Sequence, residues 1–514
     1  MLTTTSLYSR CSAAVRRLLP LLAAAIVLTT AATAAAQPKR EFRGAWIQCV
    51  NGQFKGIGTV TMQQTLAYQL DELQKDGVNA IIFQVRPECD ALYESSIEPW
   101  SYYLTGAQGE RPQPYWDPLQ WMTEQCHRRG MELHAWINPY RAKTKVAHQT
   151  TASHVISLHP EWTMEYDGLT LLNPALKECR DYICSVVKDI LERYDVDGLH
   201  IDDYFYPYPV AGVSIPDDEQ FLADPQGFDS QDDWRRNNVN LFIRQLAETV
   251  FTTKPWVKLG ISPFGIYRNK KSDPNGSNTN GLQNYDQLYA DVLLWDREGW
   301  MDYCVPQLYW EIGNRAADYA ELIGWWNDNI QNSDLYIGED VERTVKFADT
   351  MQPGQHQLGQ KRAMHDQMDN VRGTVLWYAK AAVDNVGNYG TLLREKYWKH
   401  KALAPVVPRL ESISVPGKPR KLKCINVDGK NILFWTAPKS KHPETIAERY
   451  VVYRFDSKER IDLESAANIV AITDDTFYEI PPTAKKTKAV YYVTALNRVG
   501  RESAAEKKKV KTKR

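Results

Sequence analysis

Short apolar segments alternate with longer amphipathic segments along most of this chain. From residue 42 to about residue 397, runs bounded by Gly, Pro or Asn are each followed by a stretch with helical periodicity. The runs are 42–50, 79–85, 131–137, 197–201, 257–262, 301–308, 334–337 and 373–378, and the helical stretches are 62–76, 117–129, 174–194, 232–252, 285–298, 318–332, 360–370 and 389–400. Eight strand–helix units over roughly 350 residues are what a (β/α)8 barrel requires, so we expect a TIM barrel.

The rival arrangement is an open, doubly wound sheet, which usually binds a nucleotide at a glycine-rich turn. No G-x-G-x-x-G or G-x-x-x-x-G-K-S/T motif follows any predicted strand, so the barrel is favoured and no organic cofactor is implied. The seven cysteines after residue 36 stand at irregular spacings, which is typical neither of a disulfide framework nor of a zinc site. We therefore expect no structural metal.

The first 36 residues have the pattern of a cleaved secretory signal. Arginines precede an apolar run at 18–28, and three alanines before Gln37 offer a small-residue cleavage site. The apolar run is shorter than the ~20 residues that a membrane helix needs, and no comparable run follows. We expect a periplasmic or secreted protein without a transmembrane segment.

After residue 405 the pattern changes to short alternating strands separated by proline-containing links. About a hundred residues of such strands predict a β-sandwich. We place it at 406–505, after a barrel domain at 37–405 and before a basic tail at 506–514. The order of its Trp and Tyr-rich strands resembles a fibronectin type III module.

Charge separates the two parts of the chain. Its 62 Lys and Arg nearly balance its 63 Asp and Glu, which argues against a basic nucleic-acid-binding protein. Residues 37–405 carry 36 basic and 50 acidic side chains, whereas residues 406–514 carry 23 and 13. We interpret the basic tail as a frayed, solvated end, with attachment to an anionic envelope polymer as the alternative.

The carboxyl ends of the strands are where a TIM barrel carries its reactive side chains. The fourth run ends in Asp-Gly-Leu-His-Ile-Asp-Asp, and strand alternation directs His200 and Asp202 to the barrel interior. Two adjacent carboxylates repel each other and lose hydration, which is tolerated chiefly where the charge has a task or a partner. Asp202 and Asp203 are therefore candidate catalytic residues. The alternative for Asp203 is a helix cap or a salt bridge to Arg86 or Arg141.

Aromatic side chains crowd the same strand ends. Fifteen of the 16 tryptophans lie in the barrel region, and Trp136, Tyr204, Tyr309, Trp310 and Trp377 fall at predicted strand ends. Flat aromatic faces pack on the apolar faces of sugar rings, while carboxylates and amides bind hydroxyl groups. For any one of these rings core packing is the simpler explanation, but the cluster around carboxylates favours a carbohydrate site.

Glycoside hydrolysis needs one carboxylate at the oxocarbenium-like centre and one protonated acid at the leaving oxygen. We interpret Asp202 as the nucleophile or stabiliser. The acid remains open among Glu311 after the sixth run, Asp203, and Asp90 after the second run.

Long motifs span nearly the whole barrel region. They are Phe42-Arg-Gly-Ala-Trp46, Phe83-Gln-Val-Arg-Pro87, Glu132-Leu-His-Ala-Trp-Ile-Asn-Pro-Tyr-Arg141, Asp197-Gly-Leu-His-Ile-Asp-Asp-Tyr-Phe-Tyr-Pro207 and Pro306-Gln-Leu-Tyr-Trp310. Together they resemble the bacterial glycosyl hydrolase-like 10 family. The resemblance implies a secreted TIM-barrel glycosidase, often with a β-sandwich attachment, that in some members cleaves peptidoglycan strands stripped of their peptides. Separately, the motif that ends the fourth run resembles the Asp-Gly-apolar-basic-apolar-Asp ending of retaining α-glycosidases of related barrels, whose nucleophile falls on Asp202.

We therefore predict a glycoside hydrolase that acts on peptide-free peptidoglycan or another envelope or dietary glycan. The side chains expected to position hydroxyl, acetamido or lactyl groups are Arg86, Asp90, Asn138, Arg141, His200 and Gln307. Arg86 and Arg141 have a second interpretation, which is neutralisation of the Asp pair. Two other functions remain open: a non-catalytic glycan-binding protein, and a metal-assisted deacetylase using Asp202, Asp203 and His200.

Overall fold

The computed structural model describes residues 37–482 and 487–511, so the signal predicted at 1–36 lies outside the described residues. The strands up to residue 377 are β1 (Phe42–Ile47), β2 (Ala80–Arg86), β3 (Glu132–Ile137), β4 (Arg141–Lys143), β5 (Thr163–Tyr166), β6 (Leu169–Leu172), β7 (Gly198–Ile201), β8 (Lys258–Ile261), β9 (Tyr303–Cys304), β10 (Asp334–Asp340) and β11 (Val371–Trp377). All except β4–β6 are parallel neighbours in chain order and close into a barrel where β11 pairs with β1. The predicted TIM barrel is confirmed, with one barrel strand in each of the eight apolar runs.

Helices cover the outside of the barrel. They are α1 (Thr59–Lys75), α2 (Tyr102–Thr105), α3 (Pro118–Arg128), α4 (Val155–Leu158), α5 (Lys177–Arg193), α6 (Asp218–Ala223), α7 (Gln231–Thr253), α8 (Asn284–Gln287), α9 (Val292–Arg297), α10 (Tyr319–Asn329), α11 (Val341–Lys346), α12 (Leu358–His365), α13 (Ala379–Val383) and α14 (Tyr389–Leu392). Their apolar faces form one large core with the outward-facing strand residues. Within residues 37–482 and 487–511, none of the helices has the length and apolar character needed to cross a bilayer.

Two predicted helices differ from the observed ones. The helix expected at 285–298 is divided into α8 and α9, because Tyr289 takes a positive φ of 55° and Asp291 caps the second piece by accepting from the Leu294 N–H at 3.2 Å. Pro174, expected in the first turn of its helix, precedes the start of α5 at Lys177. In both places the loop conformation sets the helix boundary.

The C-terminal part is a β-sandwich. Its strands are β12 (Arg420–Val427), β13 (Lys430–Thr436), β14 (Ala447–Asp456), β15 (Ile469–Thr473), β16 (Phe477–Ile480), β17 (Lys488–Asn497) and β18 (Glu506–Lys511). They form antiparallel sheets in the orders β12-β13-β16 and β15-β14-β17-β18, which confirms the predicted sandwich. The prediction of a frayed tail is wrong for residues 506–511, because they pair with β17 as an edge strand.

The sandwich packs against the end of the barrel where the strands begin. Arg449 of β14 lies 3.5 Å from Asp197, which immediately precedes β7. In the connecting segment, Arg409 donates at 2.8 Å to both oxygens of Asp302, which immediately precedes β9. The carboxyl ends of the barrel strands therefore point away from the sandwich.

Candidate active site

A cavity of about 300 Å³ opens at the carboxyl ends of the barrel strands. It is lined by Trp46, Trp136, Asp202, Asp203, Tyr204, Tyr208, Ser262, Phe264, Gln307, Tyr309, Trp310 and Trp377. Eight of these twelve side chains were site candidates from the sequence. We call this space the central cavity.

Asp202 lies at the floor of the central cavity, directly after β7. Its Oδ2 accepts hydrogen bonds from Trp136 Nε1 at 3.2 Å and from Asn138 Nδ2. Its Oδ1 is buried and has no hydrogen-bond partner among the residues that the structure describes. A buried carboxyl oxygen without a partner is costly, so its place in a cavity wall indicates a position that a ligand satisfies.

A relay of side-chain amides fixes the orientation of Asn138. Gln84 Oε1 accepts from the backbone N–H groups of Cys49 and Val50 at 2.8 and 3.0 Å, so its amide nitrogen must face the other way. That nitrogen donates to Asn138 Oδ1 at 2.7 Å. The Asn138 amide nitrogen is consequently directed at Asp202, because its oxygen already accepts from Gln84.

Burial raises the pKa of the Asp202 carboxyl to about 7, since its ionised form loses hydration. The Arg141 guanidinium opposes this rise and the negative charge of Asp203 adds to it. Burial raises the pKa of Asp203 as well, but hydrogen bonds from Tyr208 and Gln307 lower it by favouring the ionised form. Asp202 is therefore the more easily protonated carboxyl of the pair.

Aromatic rings form the walls of the central cavity. Tyr309 and Trp377 stack with centroids 5.9 Å apart and planes 21° apart. Trp46 stands edge-on to both, at 6.4 and 6.1 Å. Trp310 packs against Phe264 at 5.4 Å on the other side. Because these rings support one another, each presents a fixed surface to a ligand.

Comparison with known proteins identifies the family. The glycosyl hydrolase-like 10 model matches residues 41–354. This chain belongs to the glycosyl hydrolase-like 10 family. It is 36% identical over 507 residues to glycosyl hydrolase YngK of Bacillus subtilis, covering 97% of this chain and 98% of that protein. It is 34% identical over 370 residues to glycosyl hydrolase DigH of Escherichia coli K12, covering 66% of this chain and 83% of that protein.

A likeness to solved structures accompanies the family match. The glycoside hydrolase domain of PgaB (BpsB) from Bordetella bronchiseptica aligns with a TM-score of 0.45 and 10% identity, covering 69% of this chain and 98% of that chain. The family match confirms the predicted glycosyl hydrolase-like 10 barrel, and it places the chain among the glycosyl hydrolases.

The guanidinium donors of Arg86 are all used in hydrogen bonds within the protein. Both it and Glu98 are fully buried, and the guanidinium donates to both Glu98 oxygens at 2.7–2.9 Å. Its remaining terminal nitrogen donates to the Asn138 and Pro139 carbonyls at 2.7 and 3.0 Å. Arg86 therefore ties the loop after β2 to the end of β3, and it pairs with neither Asp202 nor Asp203.

Asp90 is buried in the loop after β2, outside the central cavity. Its Oδ2 accepts from the Tyr102 N–H at 3.0 Å and from Gln108 Nε2 at 3.2 Å. Burial, with the nearby charge of Glu88, raises its pKa to about 6. Its Oδ1 is buried and has no hydrogen-bond partner among the described residues, but Asp90 does not line the central cavity, so the structure does not bring this acid candidate to Asp202.

Glu311 likewise does not line the central cavity. Its Oε1 accepts from Asn314 Nδ2 at 2.8 Å, whereas its Oε2 is buried, has no hydrogen-bond partner among the described residues and lies 3.9 Å from the Arg343 guanidinium. The carboxylates that line the cavity are those of Asp202 and Asp203. Of the three acid candidates from the sequence, Asp203 is the one that shares a cavity with Asp202.

His200 is fully buried beneath the cavity floor. Trp46 Nε1 donates to its Nε2 at 3.3 Å, so that nitrogen carries no proton and Nδ1 donates to the Tyr303 hydroxyl at 3.1 Å. Burial lowers its pKa well below the usual value, which agrees with a neutral ring. The Tyr303 ring is accommodated because residue 260 is glycine; a Cβ there would lie 1.8 Å from the ring. His200 thus positions Trp46 rather than contacting a ligand.

The contacts of His200 also bear on the deacetylase alternative. Its Nε2 lies 3.0 Å from Ser262 Oγ in addition to Trp46, so both ring nitrogens have partners. No group of three or more His, Cys, Asp and Glu side chains in residues 37–482 and 487–511 is arranged to hold a metal ion. The residues proposed for metal-assisted chemistry are therefore not assembled as a ligand set.

Four lining residues were not among the sequence candidates: Trp46, Tyr208, Ser262 and Phe264. Strand alternation could have predicted Trp46. It lies two residues after Gly44 and four after Phe42, so all three are on the inward face of β1. Ser262 and Phe264 follow β8, whose end has no carboxylate, so the sequence carries no signal of a reactive group there. Tyr208 lies in an irregular loop, where no periodicity predicts the side-chain direction.

Proposed function

We propose that this chain is a secreted or periplasmic glycosidase that hydrolyses peptide-free peptidoglycan strands. The observation that carries the proposal is the unpaired, buried Oδ1 of Asp202 at the floor of an aromatic-walled cavity. A proton on that oxygen has no protein acceptor, so it is available to a glycosidic oxygen. The secretory pattern of residues 1–36 and the family resemblance support an envelope glycan as substrate.

Asp202 is proposed as the proton donor, in place of the nucleophile role suggested by the sequence alone. Its Oδ2 is held by Trp136 and Asn138, which leaves Oδ1 to protonate the leaving oxygen. Asp203, whose hydrogen bonds favour the ionised form, faces the positive charge that develops at the anomeric carbon. Cleavage of the carbon–oxygen bond leaves Asp202 ionised, ready to take a proton from the attacking water.

The substrate assignment is tested by mass analysis of the products released from peptide-free peptidoglycan strands. We expect soluble, peptide-free disaccharides or longer glycan fragments to be released from these strands. We expect no soluble fragments from starch-like or xylan-like polymers under the same conditions. Equal release from a plant polymer would contradict the assignment of an envelope glycan. Binding without release from any polymer would instead favour the non-catalytic alternative.

A pH profile tests the role of Asp202. Because its folded-state pKa is about 7, the protonated fraction falls about tenfold for each pH unit above that value, and kcat/KM should fall with it. The charge of Asp203 raises the Asp202 pKa, so Asp203→Asn should lower kcat/KM at every pH through loss of the stabilising carboxylate, and the alkaline limb of its residual activity should lie at lower pH. The measurement is kcat/KM from pH 5 to pH 9 for both proteins. An unmoved alkaline limb in Asp203→Asn would contradict the assignment.

We also propose that the sandwich attaches the enzyme to an anionic envelope polymer. Lys507, Lys509 and Lys511 are exposed on β18, which is an edge strand. Lysines on an edge strand also prevent edge-to-edge pairing, which is the simpler role. Attachment is supported by the position of the sandwich at the barrel end opposite the central cavity, where binding leaves the cavity open.

A further inference from the structure

A second cavity of about 300 Å³ adjoins the central cavity. It lies between the small antiparallel sheet β4-β6-β5 and the loop after β7. Its lining includes Arg141, Lys145, Tyr166, Leu169, Tyr204 and Tyr208, and we call it the side groove. Tyr204 and Tyr208 line both spaces, so the side groove and the central cavity are immediate neighbours.

The side groove is preformed. The Tyr166 hydroxyl of β5 accepts from the Val210 N–H at 2.8 Å, which fastens the loop after β7 to the small sheet. Tyr208 in the same loop donates to Asp203, so the loop is also fixed on the side of the central cavity. A ligand therefore meets a groove whose walls are already held in place, which limits the ordering cost of binding.

The lining combines an apolar floor with a positively charged rim. Tyr166, Leu169 and neighbouring apolar side chains form the floor. At the rim Arg141 and Lys145 outnumber the single acid Asp167, which pairs with Lys145 at 2.5 Å. Such a surface suits a ring or methyl group that carries a carboxylate.

Two of the three guanidinium nitrogens of Arg141 are bonded within the protein, which holds the side chain in position. Its Nε donates to the Pro87 carbonyl at 2.8 Å, and one terminal nitrogen donates to Asn138 Oδ1 at 2.5 Å. The guanidinium lies 5.4 Å from the centroid of the half-exposed Tyr204 ring. Among the described residues its other terminal nitrogen has no hydrogen-bond partner, so it is free to donate to an anionic ligand.

We propose that the side groove binds the sugar next to the cleavage point and that Arg141 and Lys145 recognise a carboxylate on that sugar. The proposal rests on the proposed function and refines it, because it defines the substrate as a glycan with an acidic substituent on the neighbouring residue. The two tyrosines shared with the central cavity set the occupant as the same glycan chain, since they place the two spaces side by side. The unpaired Arg141 donor sets the substituent as an anion, because a guanidinium N–H binds a carboxylate more strongly than a neutral acceptor.

The test measures binding separately from cleavage. In an Asp202→Asn background, peptide-free peptidoglycan strands are compared with the same strands after chemical reduction of their carboxyl groups, using titration calorimetry. We expect the native strands to bind about tenfold more tightly, as for loss of one charge-assisted hydrogen bond. Lys145→Glu should remove this preference, and Leu169→Trp should weaken binding of both polymers by filling the groove.

Lys177→Glu is the matched control. The exposed Lys177 pairs with Asp181 at 2.5 Å on α5, as Lys145 pairs with Asp167, but it lies outside both cavities. Equal affinity for the two polymers, or the same effect from Lys145→Glu and Lys177→Glu, would overturn the proposal. Cleavage by the chain with Asp202 intact is measured in parallel. Tighter binding of native strands without any cleavage would refute the proposed hydrolysis. It would still support recognition of a carboxylate by the side groove.

Discussion

Asp202→Asn is expected to lower kcat for release of sugar from peptide-free strands by about 100- to 10,000-fold, the contribution of one general acid. Asparagine has the same shape as aspartate, so contacts to Trp136 and Asn138 are perturbed little and the protein should still bind glycan. The loss arises because the amide has no proton of suitable acidity for the leaving oxygen. Initial rates of reducing-end formation and the dissociation constant of the strands are the two measurements.

Glu311→Gln is the comparison for this result. Glu311 is the other acid candidate from the sequence, but its contacts are with Asn314 and Arg343 rather than with the central cavity. We expect this variant to retain activity close to that of the unchanged chain. The assignment of Asp202 fails if Asp202→Asn retains full turnover or if Glu311→Gln removes it.

Arg86→Ala is expected to lower the free energy of unfolding by about 3–5 kcal/mol, the usual effect of breaking a buried ion pair. The substitution leaves the Glu98 carboxylate fully buried without its guanidinium, and it frees the carbonyls of Asn138 and Pro139. Denaturant unfolding followed by tryptophan fluorescence measures the change. Any loss of activity should result from displacement of the loop after β2 and the end of β3, because Arg86 does not line the central cavity.

An exposed pair provides the matched control. Arg111 lies 3.1 Å from Glu94, with 53% and 47% of the two side chains exposed. Arg111→Ala should lower the free energy of unfolding by about 1 kcal/mol at most, because solvent screens the pair. A double variant, Arg86→Met with Glu98→Met, should recover much of the loss, since it removes both charges. A small effect of Arg86→Ala with no recovery would contradict the structural role.

Most of the barrel could be predicted from local sequence. Strand runs such as 79–85 are mostly apolar because both faces of a barrel strand are buried, and Gly77 and Gly130 end their helices with φ of +94° and +72°. The division of the helix at 285–298 could not be predicted, because it depends on the loop conformation at Tyr289. The edge strand at 506–511 could not be predicted for a similar reason. A lysine-rich segment is typical of a solvated tail, and only its pairing with β17 makes it a strand.

The candidate site was predictable in part. Strand alternation and the rule that reactive groups lie at strand ends placed Asp202, Trp136 and Trp377 together, and these side chains do line one cavity. The same rule did not distinguish side chains that face the cavity from those that hold the strand ends together. Arg86 and His200 belong to the second kind, because their polar groups are already bonded within the protein.

By itself the sequence determined the barrel, the attached sandwich and the strand that delivers the Asp pair. These features follow from the period of apolar residues along the chain, which is a local property. Only the tertiary structure decided that Arg86 pairs with Glu98, that Glu311 lies outside the central cavity and that burial raises the pKa of Asp202 to about 7. Partner choice and desolvation depend on which distant segments meet in space, and that is set by the packing of the whole barrel.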